Sequence, residues 1–415
     1  MTVIRCDDAI RAVIAAAERQ PMLRVPLERA LDQVLATPLI ATFPLPRWTA
    51  ASMDGFAVHG DDVRAASPTH PVRLSLAGAT RAGEAEPPPL AQGSAWRVAT
   101  GGRIPANVDT IIRQEDVTVE GEVVAVWQSR DVRRNVRPEG GDVREGDLVL
   151  PAGTVIHPGT LALCAALGHG EVMVHRRPRV AILTSGDELV GMDQVESLRL
   201  GSAMADVNTP MLTAMVCQAG GVPVPLGRVP DDVDAITAAI DAAPDVDLIL
   251  TAGGVSVGAH DHIPAALVRL GAAVIFRRVR IRPGGPTMLG VLPDGRPLLA
   301  LPGNPVSAFV TFTLFGRAMI RAMLATPRPL GEHEERRESH GGPVPGRSVA
   351  LASPISRHPT LDQFVRVTVS DEDPPVATPT GEQASWVLTS IARADALVRI
   401  DAGVGEVVRA ELLAI

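Results

Sequence analysis

The chain has 415 residues, of which 46% are hydrophobic, so it is long enough for several domains of roughly 100 to 200 residues each. Its formal net charge of −8 argues against nucleic acid as a bulk partner, because binding to a phosphate backbone requires a basic surface. Lysine is absent, and all 39 basic side chains of the Lys and Arg count are arginines. Mechanisms that use a lysine as a Schiff base or a general base are therefore excluded.

The cysteines and the apolar segments indicate a reducing compartment. Cys6, Cys164 and Cys217 lie far apart and form no Cys-x-x-Cys pattern, so they predict neither a disulfide framework nor a thiolate metal site. Charged residues interrupt positions 1–20, which argues against a secretory signal, and the apolar run 306–315 is too short to span a bilayer. We expect a soluble cytoplasmic protein with no membrane partner.

The first 150 residues predict two helices followed by a β-rich lobe. Asp7 precedes apolar residues at helical spacing, which predicts a helix capped by Asp7 that stops at Pro21. A second helix is predicted from Pro26 to about Ala36. From about residue 42 to about residue 150, short β-like segments alternate with Gly, Pro and Asp turns, so this part is predicted to form a separate lobe.

After Pro178 the pattern changes to alternating strands and helices, which predicts a parallel α/β domain. The predicted strands are 180–183, 248–250 and 298–301, and the predicted helices are 211–219, 232–242 and 264–270. A charged run after residue 327 is typical of a solvated linker, and segments at 364–369 and 396–400 predict a final β-rich lobe. The predicted fold class is therefore multidomain α/β, with a parallel ligand-binding domain and β-rich lobes.

The segment 247–258, Asp-Leu-Ile-Leu-Thr-Ala-Gly-Gly-Val-Ser-Val-Gly, leads a strand directly into a turn of small residues. Its apolar run is typical of a strand covered on both faces, while Gly253, Gly254 and Gly258 let the backbone approach a ligand closely. The glycine spacing matches neither the dinucleotide fingerprint nor the P-loop, which would end in Gly-Lys-Ser/Thr. We expect this turn to bind a phosphorylated ligand.

Two other strand ends are predicted at the same edge of the sheet, where ligands of open α/β domains bind. In Thr184-Ser-Gly-Asp-Glu-Leu189, Ser185 and Glu188 match a helix capping box, and the alternative is a ligand site that includes Asp187. In Leu301-Pro-Gly-Asn-Pro-Val-Ser307, two prolines and a glycine predict a fixed turn before a helix. That turn is either purely structural or places a helix N-terminus against an anion.

The sequence Ala259-His-Asp-His262 follows the glycine turn and contains two kinds of metal ligand. His260 and His262 have no other histidines at ligand spacing, which argues against coordination by imidazole. Asp261 alone, near phosphates, suits a Mg²⁺ ion that keeps most of its waters.

The segment Phe276-Arg-Arg-Val-Arg-Ile-Arg-Pro283 is predicted to be a strand with Arg278, Arg280 and Arg282 on one face. Like charges on one face repel each other, so either solvent and surface acids dilute them or an anionic ligand pairs with them. A solvated edge strand is one interpretation. The turn Pro283-Gly-Gly285 that follows favours the other, a binding site.

Two segments of the β-rich lobe place single polar groups in turns. Ser52-Met-Asp-Gly-Phe56 positions the Asp54 carboxylate, and Thr100-Gly-Gly-Arg-Ile-Pro105 positions the Thr100 hydroxyl. Taken alone, each segment predicts only a turn, because Asp-Gly and Gly-Gly are common in turns.

Together, six segments closely resemble, in chain order, the signatures of the molybdopterin molybdenumtransferases, a family related to the E-domain of gephyrin. They are Ser52-Met-Asp-Gly, Thr100-Gly-Gly with Pro105, Ser185-Gly-Asp-Glu-Leu, Asp206-Val-Asn208, Gly253-Gly-Val-Ser-Val-Gly and Leu301-Pro-Gly-Asn-Pro-Val-Ser. The resemblance implies an elongated, four-domain homodimer whose α/β domain binds molybdopterin in a cleft completed by the partner subunit. The implied reaction converts adenylylated molybdopterin and molybdate, with Mg²⁺, to molybdenum cofactor and AMP.

The resemblance also implies domain boundaries and site residues. The boundaries are 1–50 with 146–178 for a discontinuous N-terminal domain, 51–145 for an inserted β-rich domain, 179–326 for the α/β domain and 327–415 for a β-barrel-like C-terminal domain. The implied catalytic residues are Asp54, Thr100, Asp142, Glu188, Asp231 and Asp261, of which Asp231 and Asp261 would bind the metal. The implied substrate-binding residues are Ser185, Gly186, Asp187, Gly253, Gly254, Ser256, Gly258, Arg278, Arg282, Pro302, Gly303, Asn304, Pro305 and Ser307.

One segment departs from the family pattern, which usually has lysines at the positions of Arg278, Arg282 and Gly285. Arginine keeps the charge but not the shape of an ammonium group, and glycine removes the charge. The proposed carboxylates favour an active transferase. Gly285 favours the alternative, a non-catalytic paralogue that carries molybdopterin or finished cofactor to a molybdoenzyme. A related adenylyltransferase would share the glycine turn but would not need the other three domains, and such an enzyme or a molybdoenzyme is an expected partner.

Overall fold

The computed structural model describes residues 3–81, 83–243, 245–255, 262–326, 346 and 348–415. In this part of the chain, three six-stranded sheets account for most of the strands, and five smaller two-stranded sheets connect or flank them. One six-stranded sheet is covered by helices on both faces, and the other two are β-rich lobes. The predicted fold class is confirmed.

The central sheet contains four neighbouring parallel strands, followed on one side by two strands that are joined through antiparallel pairings. In spatial order its strands are Val222–Val229, Arg179–Ser185, Leu248–Ala252, Pro297–Leu301, Met288–Val291 and Ala273–Phe276. All residues of Leu248–Ala252 are buried, as expected for a strand covered on both faces.

Helices cover the two faces of this sheet because alternate strand residues point to opposite sides. Ile182 packs in one cluster with helix Asn208–Gln218, whereas its neighbours in the strand pack in a second cluster with helices Val233–Asp241 and His262–Arg269. Asp232 caps the second of these helices by accepting a hydrogen bond from the backbone N–H of Ala235 at 2.8 Å. A short excursion after the strand Arg179–Ser185 contains strand Leu189–Val190, helix Val195–Arg199 and strand Met204–Ala205.

The apolar run 306–315 lies within one continuous helical rod, which extends beyond the run and includes charged residues. It consists of Pro305–Thr311, the π-helical turn Phe312–Gly316 and Arg317–Met323. The 19 residues are long and apolar enough to cross a bilayer, but 78% of the apolar window is buried inside the fold. This rod is therefore the core helix of the α/β part.

The N-terminal segment also belongs to this core. Strand Val3–Ile4 pairs in parallel with Arg278–Val279, and helix Cys6–Ala15 buries Cys6, Ala9 and Val13 in the same cluster as Ile182. The predicted Asp7 cap is wrong, since the helix starts at Cys6 and the Asp7 carboxylate accepts hydrogen bonds from Arg399. This ion pair joins the first helix to the C-terminal lobe.

Two separated parts of the chain form a small lobe, which we call the base. Strand Met22–Pro26 pairs with Glu171–His175, strand Leu39–Ile40 pairs with Leu148–Leu150, and helix Pro158–Ala166 packs beside them. The predicted helix from Pro26 to Ala36 is wrong, because only the 3-10 turn Leu27–Arg29 forms. Its backbone N–H groups instead bond to distant segments, such as Asp32 to Ile156 and Leu35 to Thr154.

The inserted lobe contains the second six-stranded sheet. Its strands, in spatial order, are Thr110–Arg113, Gly55–Val58, Ser94–Val98, Val72–Thr80, Val123–Val126 and Val117–Glu120. The 3-10 turn Gln114–Asp116 joins two of these strands, and the pair Ala50–Ala51 with Val136–Arg137 connects the lobe to the base.

The C-terminal lobe is a closed barrel. Its ring comprises strands Asp362–Val369, Val376–Pro379, Ser348–Ser356, Glu406–Ala414 and Ala396–Ile400, and the last of these pairs back with the first. Helix Leu388–Ala392 precedes the strand that closes the ring. Strand Ile281–Arg282, from the middle of the α/β part, pairs in parallel with Asp362–Val369.

Candidate active site

Three neighbouring parallel strands end at one edge of the central sheet, and their ends touch through backbone atoms. A β-carbon on Gly253 would lie 2.5 Å from the carbonyl oxygen of Ser185, and a β-carbon on Gly303 would lie 3.3 Å from the Cα of Gly253. Gly253 and Gly254 have φ values of +112° and +62°, in the region that favours glycine. The small residues of the two turns are thus required by close packing of the strand ends.

Buried polar atoms without partners surround these strand ends. They are Ser185 Oγ, Asn208 Oδ1, Asp231 Oδ1 and Thr251 Oγ1, none of which has a hydrogen-bond partner among the described residues. Leaving such an atom unpaired costs about 1–3 kcal/mol, so a group at this edge is expected to supply the missing bonds when a ligand binds. Asn208 is already oriented, because its Nδ2 donates to the carbonyl of Gly303 at 2.8 Å.

Asp206, of the Asp206-Val-Asn208 segment, fixes the approach to this edge. Its carboxylate accepts hydrogen bonds from the hydroxyls of Thr184 and Thr209, at 3.0 and 2.6 Å, and from the backbone N–H of Thr209 at 3.0 Å. Asp206 is buried and holds the end of its strand against the start of helix Asn208–Gln218. Its role in the structure is therefore to position Asn208.

The predicted carboxylates Asp187, Glu188 and Asp231 lie at the same edge. The backbone N–H of Asp231 donates to Asp187 Oδ1 at 3.2 Å, so the ends of two adjacent strands meet there. The Glu188 carboxylate folds back over Gly186, where a β-carbon would come within 3.0 Å of Glu188 Oε2. The structure thus brings three of the predicted acids together with Ser185 and Gly186.

The capping-box interpretation of Ser185 and Glu188 is wrong. Ser185 is the last residue of its strand, the chain then turns into the strand Leu189–Val190, and no helix starts at Ser185. The Ser185 hydroxyl therefore caps nothing and stays available at the strand end.

The arginine segment is not one continuous strand, so the prediction that three arginines share a face is wrong. Arg278–Val279 pairs with the N-terminal strand, and Ile281–Arg282 pairs with the C-terminal barrel. Between these pairings, the backbone N–H of Arg280 donates to Ile4 and its carbonyl accepts from Asp362. The break arises because the segment bonds to a different lobe on each side of Arg280.

A cavity of about 460 Å³ lies where the arginine segment faces the third strand end and the C-terminal lobe. It is lined by Arg278, Ile281, Arg282, Pro283, Gly284, Gly285, Pro286, Pro302, Asn304, Ser307, Gln383, Ala384, Ser385 and Trp386. Neither Arg278 nor Arg282 forms a side-chain hydrogen bond or ion pair with another described residue. Two guanidinium groups that lack partners among the described residues can pair with an oxyanion by charge-assisted hydrogen bonds. We call this cavity the oxyanion cavity.

Arg280 lines a different cavity, of about 430 Å³, on the other side of the loop that contains Gly285. Arg278 and Gly285 line both cavities, whereas Arg282 lines only the oxyanion cavity and Arg280 only the second one. A β-carbon on Gly285 would have ordinary contacts, at 3.4 Å to the carbonyl oxygen of Ile281 and 3.5 Å to that of Val279. A side chain is therefore sterically allowed at the position where the family usually has lysine.

The helix that follows the third strand end supports the oxyanion cavity. It starts at Pro305, as the turn signal predicts, and Ser307 is buried within it, while Pro302 and Asn304 line the cavity before it. The Asn304 side chain does not cap this helix but donates to Ser385 Oγ at 3.3 Å. The predicted turn residues thus contact the C-terminal lobe.

Four residues of the cavity, Gln383 to Trp386, were missed by sequence reasoning. They come from a loop of the C-terminal lobe that is held by the buried Arg366, whose backbone N–H donates to Gln383 Oε1 at 2.9 Å and whose Nη2 donates to the carbonyl of Ala384 at 3.3 Å. Burial lowers the pKa of Arg366 to about 10, so it stays charged at neutral pH. The one sequence signal that could have marked this loop is a tryptophan at the end of a run of small and polar residues, Gly381 to Ser385.

Asp54 and Thr100 form a pair on the inserted lobe. The Asp54 carboxylate accepts hydrogen bonds from the backbone N–H and the hydroxyl of Thr100, both at 2.7 Å. The backbone bond and then the side-chain bond lower the pKa of Asp54 below its usual value, so the exposed carboxylate is ionised at neutral pH.

Asp142 lies exposed at the junction of the base and the inserted lobe, where its backbone N–H donates to Leu45 at 3.0 Å. In the described part of the chain, no side-chain hydrogen bond or ion pair connects Asp54, Thr100 or Asp142 to the edge of the central sheet. The structure therefore places the predicted site residues in two groups.

Ser256, Gly258 and Asp261, with the neighbouring His260, lie outside the described residues. Within the described ranges, no cluster of three or more His, Cys, Asp or Glu side chains could hold a metal ion.

All but short parts of the chain match three family models. Residues 4–168 match the MoeA N-terminal region (domain I and II), residues 181–322 match a probable molybdopterin binding domain, and residues 348–413 match the MoeA C-terminal region (domain IV).

Proteins named molybdopterin molybdenumtransferase match over most of their length. The Bacillus subtilis protein is 32% identical over 409 residues, covering 97% of this chain and 91% of that relative. The Synechococcus elongatus protein is 39% identical over 327 residues, covering 77% of this chain and 80% of that relative. This chain belongs to the molybdopterin molybdenumtransferase family. The resemblance drawn from the six segments is confirmed.

Solved structures of molybdopterin biosynthesis moeA proteins agree with this membership. A crystal structure of the molybdopterin biosynthesis moeA protein from Pyrococcus horikoshii is 26% identical, with a TM-score of 0.75 and coverage of 100% of this chain and 99% of that one. A crystal structure of a molybdopterin biosynthesis moeA protein from Pyrococcus horikoshii OT3, at 24% identity and a TM-score of 0.79, shows the same fold over 99% of both chains.

Proposed function

We propose that this chain inserts molybdenum from molybdate into adenylylated molybdopterin, producing molybdenum cofactor and AMP. The observation that carries the proposal is the oxyanion cavity, in which Arg278 and Arg282, without partners in the described ranges, face the third strand end of a probable molybdopterin binding domain. Molybdate and the phosphates of the activated pterin are oxyanions, which arginine binds by charge-assisted hydrogen bonds. Relatives that align with this chain over most of their own length are named molybdopterin molybdenumtransferase.

The proposed chemistry requires positioning more than a protein nucleophile. The phosphoanhydride bond between the pterin phosphate and AMP is broken by transfer of an oxygen from water or molybdate to phosphorus, with AMP as the leaving group. The two sulfurs of the pterin dithiol bind molybdenum, and a displaced molybdate oxygen either leaves as water with the thiol protons or stays on phosphorus. In this scheme Arg278 and Arg282 hold the oxyanion, and Ser185 Oγ and Asn208 Oδ1, which have no partner among the described residues, hold another part of the activated pterin near the glycine turn. Preorganised donors of this kind stabilise charge that develops during the reaction.

Mg²⁺ is a further part of the proposal. Asp231 has a buried oxygen without a partner, and Asp187 lies beside it, so hard oxygen ligands suited to Mg²⁺ are present at the strand ends. Asp231 would hold the ion, together with Asp261, which lies outside the described residues. When bound, Mg²⁺ would neutralise phosphate charge during bond cleavage.

We also propose that the chain acts as a homodimer in the cytoplasm. Asp54, Thr100 and Asp142 lie on another lobe than the central sheet's strand ends, and a second copy of the chain could bring its own set to the cleft. A molybdopterin adenylyltransferase or a molybdoenzyme would then supply the substrate or receive the product.

Release of AMP from adenylylated molybdopterin on addition of molybdate and Mg²⁺ tests the proposed reaction. We expect turnover by the wild-type protein and its loss in Asp54→Asn, with the fold checked by circular dichroism. A folded wild-type protein that binds the pterin without molybdate-dependent AMP release would overturn the transferase and favour a carrier.

Mixing tests the shared site. Coexpressed Asp54→Asn and Arg282→Ala chains would form heterodimers with one intact site, which predicts recovery of about a quarter of wild-type activity under random pairing. Recovery fails if each site uses the Asp54 and Arg282 of a single chain.

A further inference from the structure

Trp386 differs from the other three tryptophans of the chain. The indole N–H groups of Trp48, Trp96 and Trp127 each donate to an oxygen, of Gly101, Thr80 and Thr118 respectively. The Trp386 indole has no such partner among the described residues and is 66% exposed, against 36% for Trp127. The chain has only four tryptophans, seven phenylalanines and no tyrosine, so a large aromatic surface left in solvent needs a reason.

The loop that carries Trp386 is held firmly at the oxyanion cavity. Arg366 bonds to Gln383 and Ala384, and Ser385 accepts a hydrogen bond from Asn304 across the cavity. The carbonyl of Trp386 accepts from the backbone N–H of Leu388 at 3.1 Å. The indole therefore stands on a fixed support, which lowers the entropy cost of binding a ligand against it.

The lining of the cavity has two chemical characters. Arg278 and Arg282 supply positive charge, while Pro283, Pro286, Pro302 and Trp386 supply flat apolar surface. A simple oxyanion would use the arginines but not the indole. A ligand that uses both joins an anionic group to a planar ring.

We propose that Trp386 forms a ring-binding subsite, in which the indole stacks on a fused nitrogen heterocycle while the arginines bind the phosphate attached to it. Aromatic side chains stack on all nucleobases, because every nucleobase has a π-face. Pterin and adenine are both planar nitrogen heterocycles, so an indole can stack on either ring. This subsite rests on the proposed function for its substrate, since adenylylated molybdopterin contains both rings. Trp386 would then set the substrate affinity.

Calorimetric titration separates the ring from the phosphate. AMP carries adenine and a phosphate, ribose 5-phosphate lacks the ring, and a simple pterin phosphate carries the other heterocycle. We expect Trp386→Ala to weaken binding of AMP or the pterin phosphate by about 10-fold or more, with ribose 5-phosphate unchanged. The ligand that loses affinity identifies the ring, and loss with both means that both rings can stack.

Two variants control this experiment. Trp386→Phe keeps an aromatic face and is expected to retain most of the affinity, whereas Trp127→Phe alters an indole of the inserted lobe and is expected to change nothing. The subsite is overturned if Trp386→Ala leaves both ring ligands unaffected. It is equally overturned if ribose 5-phosphate weakens as much as AMP, because the tryptophan would then only support the loop.

Failure of the subsite is distinguishable from failure of the proposed reaction. Wild-type AMP release with an unchanged KM in Trp386→Ala keeps the reaction and removes the subsite. Tryptophan-dependent ring binding without AMP release keeps the subsite and removes the reaction.

Discussion

The carbonyl oxygen of Ser185 lies only 2.5 Å from the point where Gly253 would carry a β-carbon, so two strand ends of the central sheet meet with no room for a side chain. The predicted glycine turn is therefore part of the sheet's packing as well as a surface for a ligand. The Ser185 hydroxyl, 3.0 Å from the same point, is one of the unpartnered groups at this edge.

Gly253→Ala is expected to force these strand ends apart. The backbone φ of +112° alone would cost about 1–3 kcal/mol with a side chain present, and the overlap adds to that cost. Gly295→Ala is the matched control, because Gly295 has φ +91° with no atom within 4 Å of its β-carbon position. Denaturant unfolding and the KM for adenylylated molybdopterin are measured. If Gly253→Ala and Gly295→Ala change the free energy of unfolding and the KM equally, close packing at Gly253 has no role.

Arg282→Ala is expected to lower kcat/KM for molybdate-dependent AMP release by on the order of 10²-fold, as when one donor to a developing oxyanion is removed. Arg280→Ala is the control of identical chemistry two residues away, since Arg280 lines only the second cavity. Steady-state kinetics on both variants decide the matter. A larger loss of kcat/KM in Arg280→Ala than in Arg282→Ala would mean that the anion reacts in the second cavity, which contradicts its assignment to the oxyanion cavity.

Gly285→Lys tests the departure from the family pattern. The position has room for a β-carbon and a side chain there adjoins Arg278, so we expect an unchanged melting temperature and a molybdate KM about 10-fold lower through one more charge-assisted hydrogen bond. Gly285→Met controls for bulk without charge. An unchanged KM in the lysine variant would mean that Arg278 and Arg282 already satisfy the anion.

Thr100→Val is expected to raise the pKa of Asp54, because it removes the hydroxyl donor and leaves the backbone donor. The pKa of Asp54 is lowered in the folded state, so ionised Asp54 favours folding above its unfolded pKa, and this contribution is lost as pH falls through the folded pKa. In the variant this contribution is therefore smaller, and its loss is complete at a higher pH. Carboxyl NMR titration reports the change, with Asp61 as internal control because Arg64 holds its pKa low. An unshifted Asp54 titration would show that the hydroxyl bond has no effect on it.

Local patterns predicted the α/β part well. The strand Leu248–Ala252 is apolar throughout, and helix Val233–Asp241 has both apolar periodicity and a capping aspartate, so short-range signals agree with the tertiary structure. The helix predicted at 26–36 does not form, although its apolar residues Ala30 and Leu35 are buried in the core of the base. Their burial accounts for the apolar spacing, while the backbone forms hydrogen bonds to distant segments and not within a helix.

The candidate site was predictable only where its residues follow strands. Ser185, Gly253 and Gly303 lie at or just after the ends of strands that the pattern identifies, so their convergence follows from the geometry of a parallel sheet. Trp386 and Ser385 reach the cavity through the pairing of separate lobes, which no spacing in the sequence encodes. The break at Arg280 has the same origin, because the N-terminal strand and the C-terminal barrel pair with adjacent halves of one short segment.

The pairing of this segment limits how the protein can be dissected. A fragment of residues 179–326 would contain all three strand ends and the glycine turn. It would lose the strand partners of both Arg278 and Arg282, as well as the loop Gln383–Trp386. The oxyanion cavity therefore cannot be transplanted with the α/β domain alone, and the smallest exchangeable unit for domain-swap engineering includes the N-terminal strand and the whole barrel.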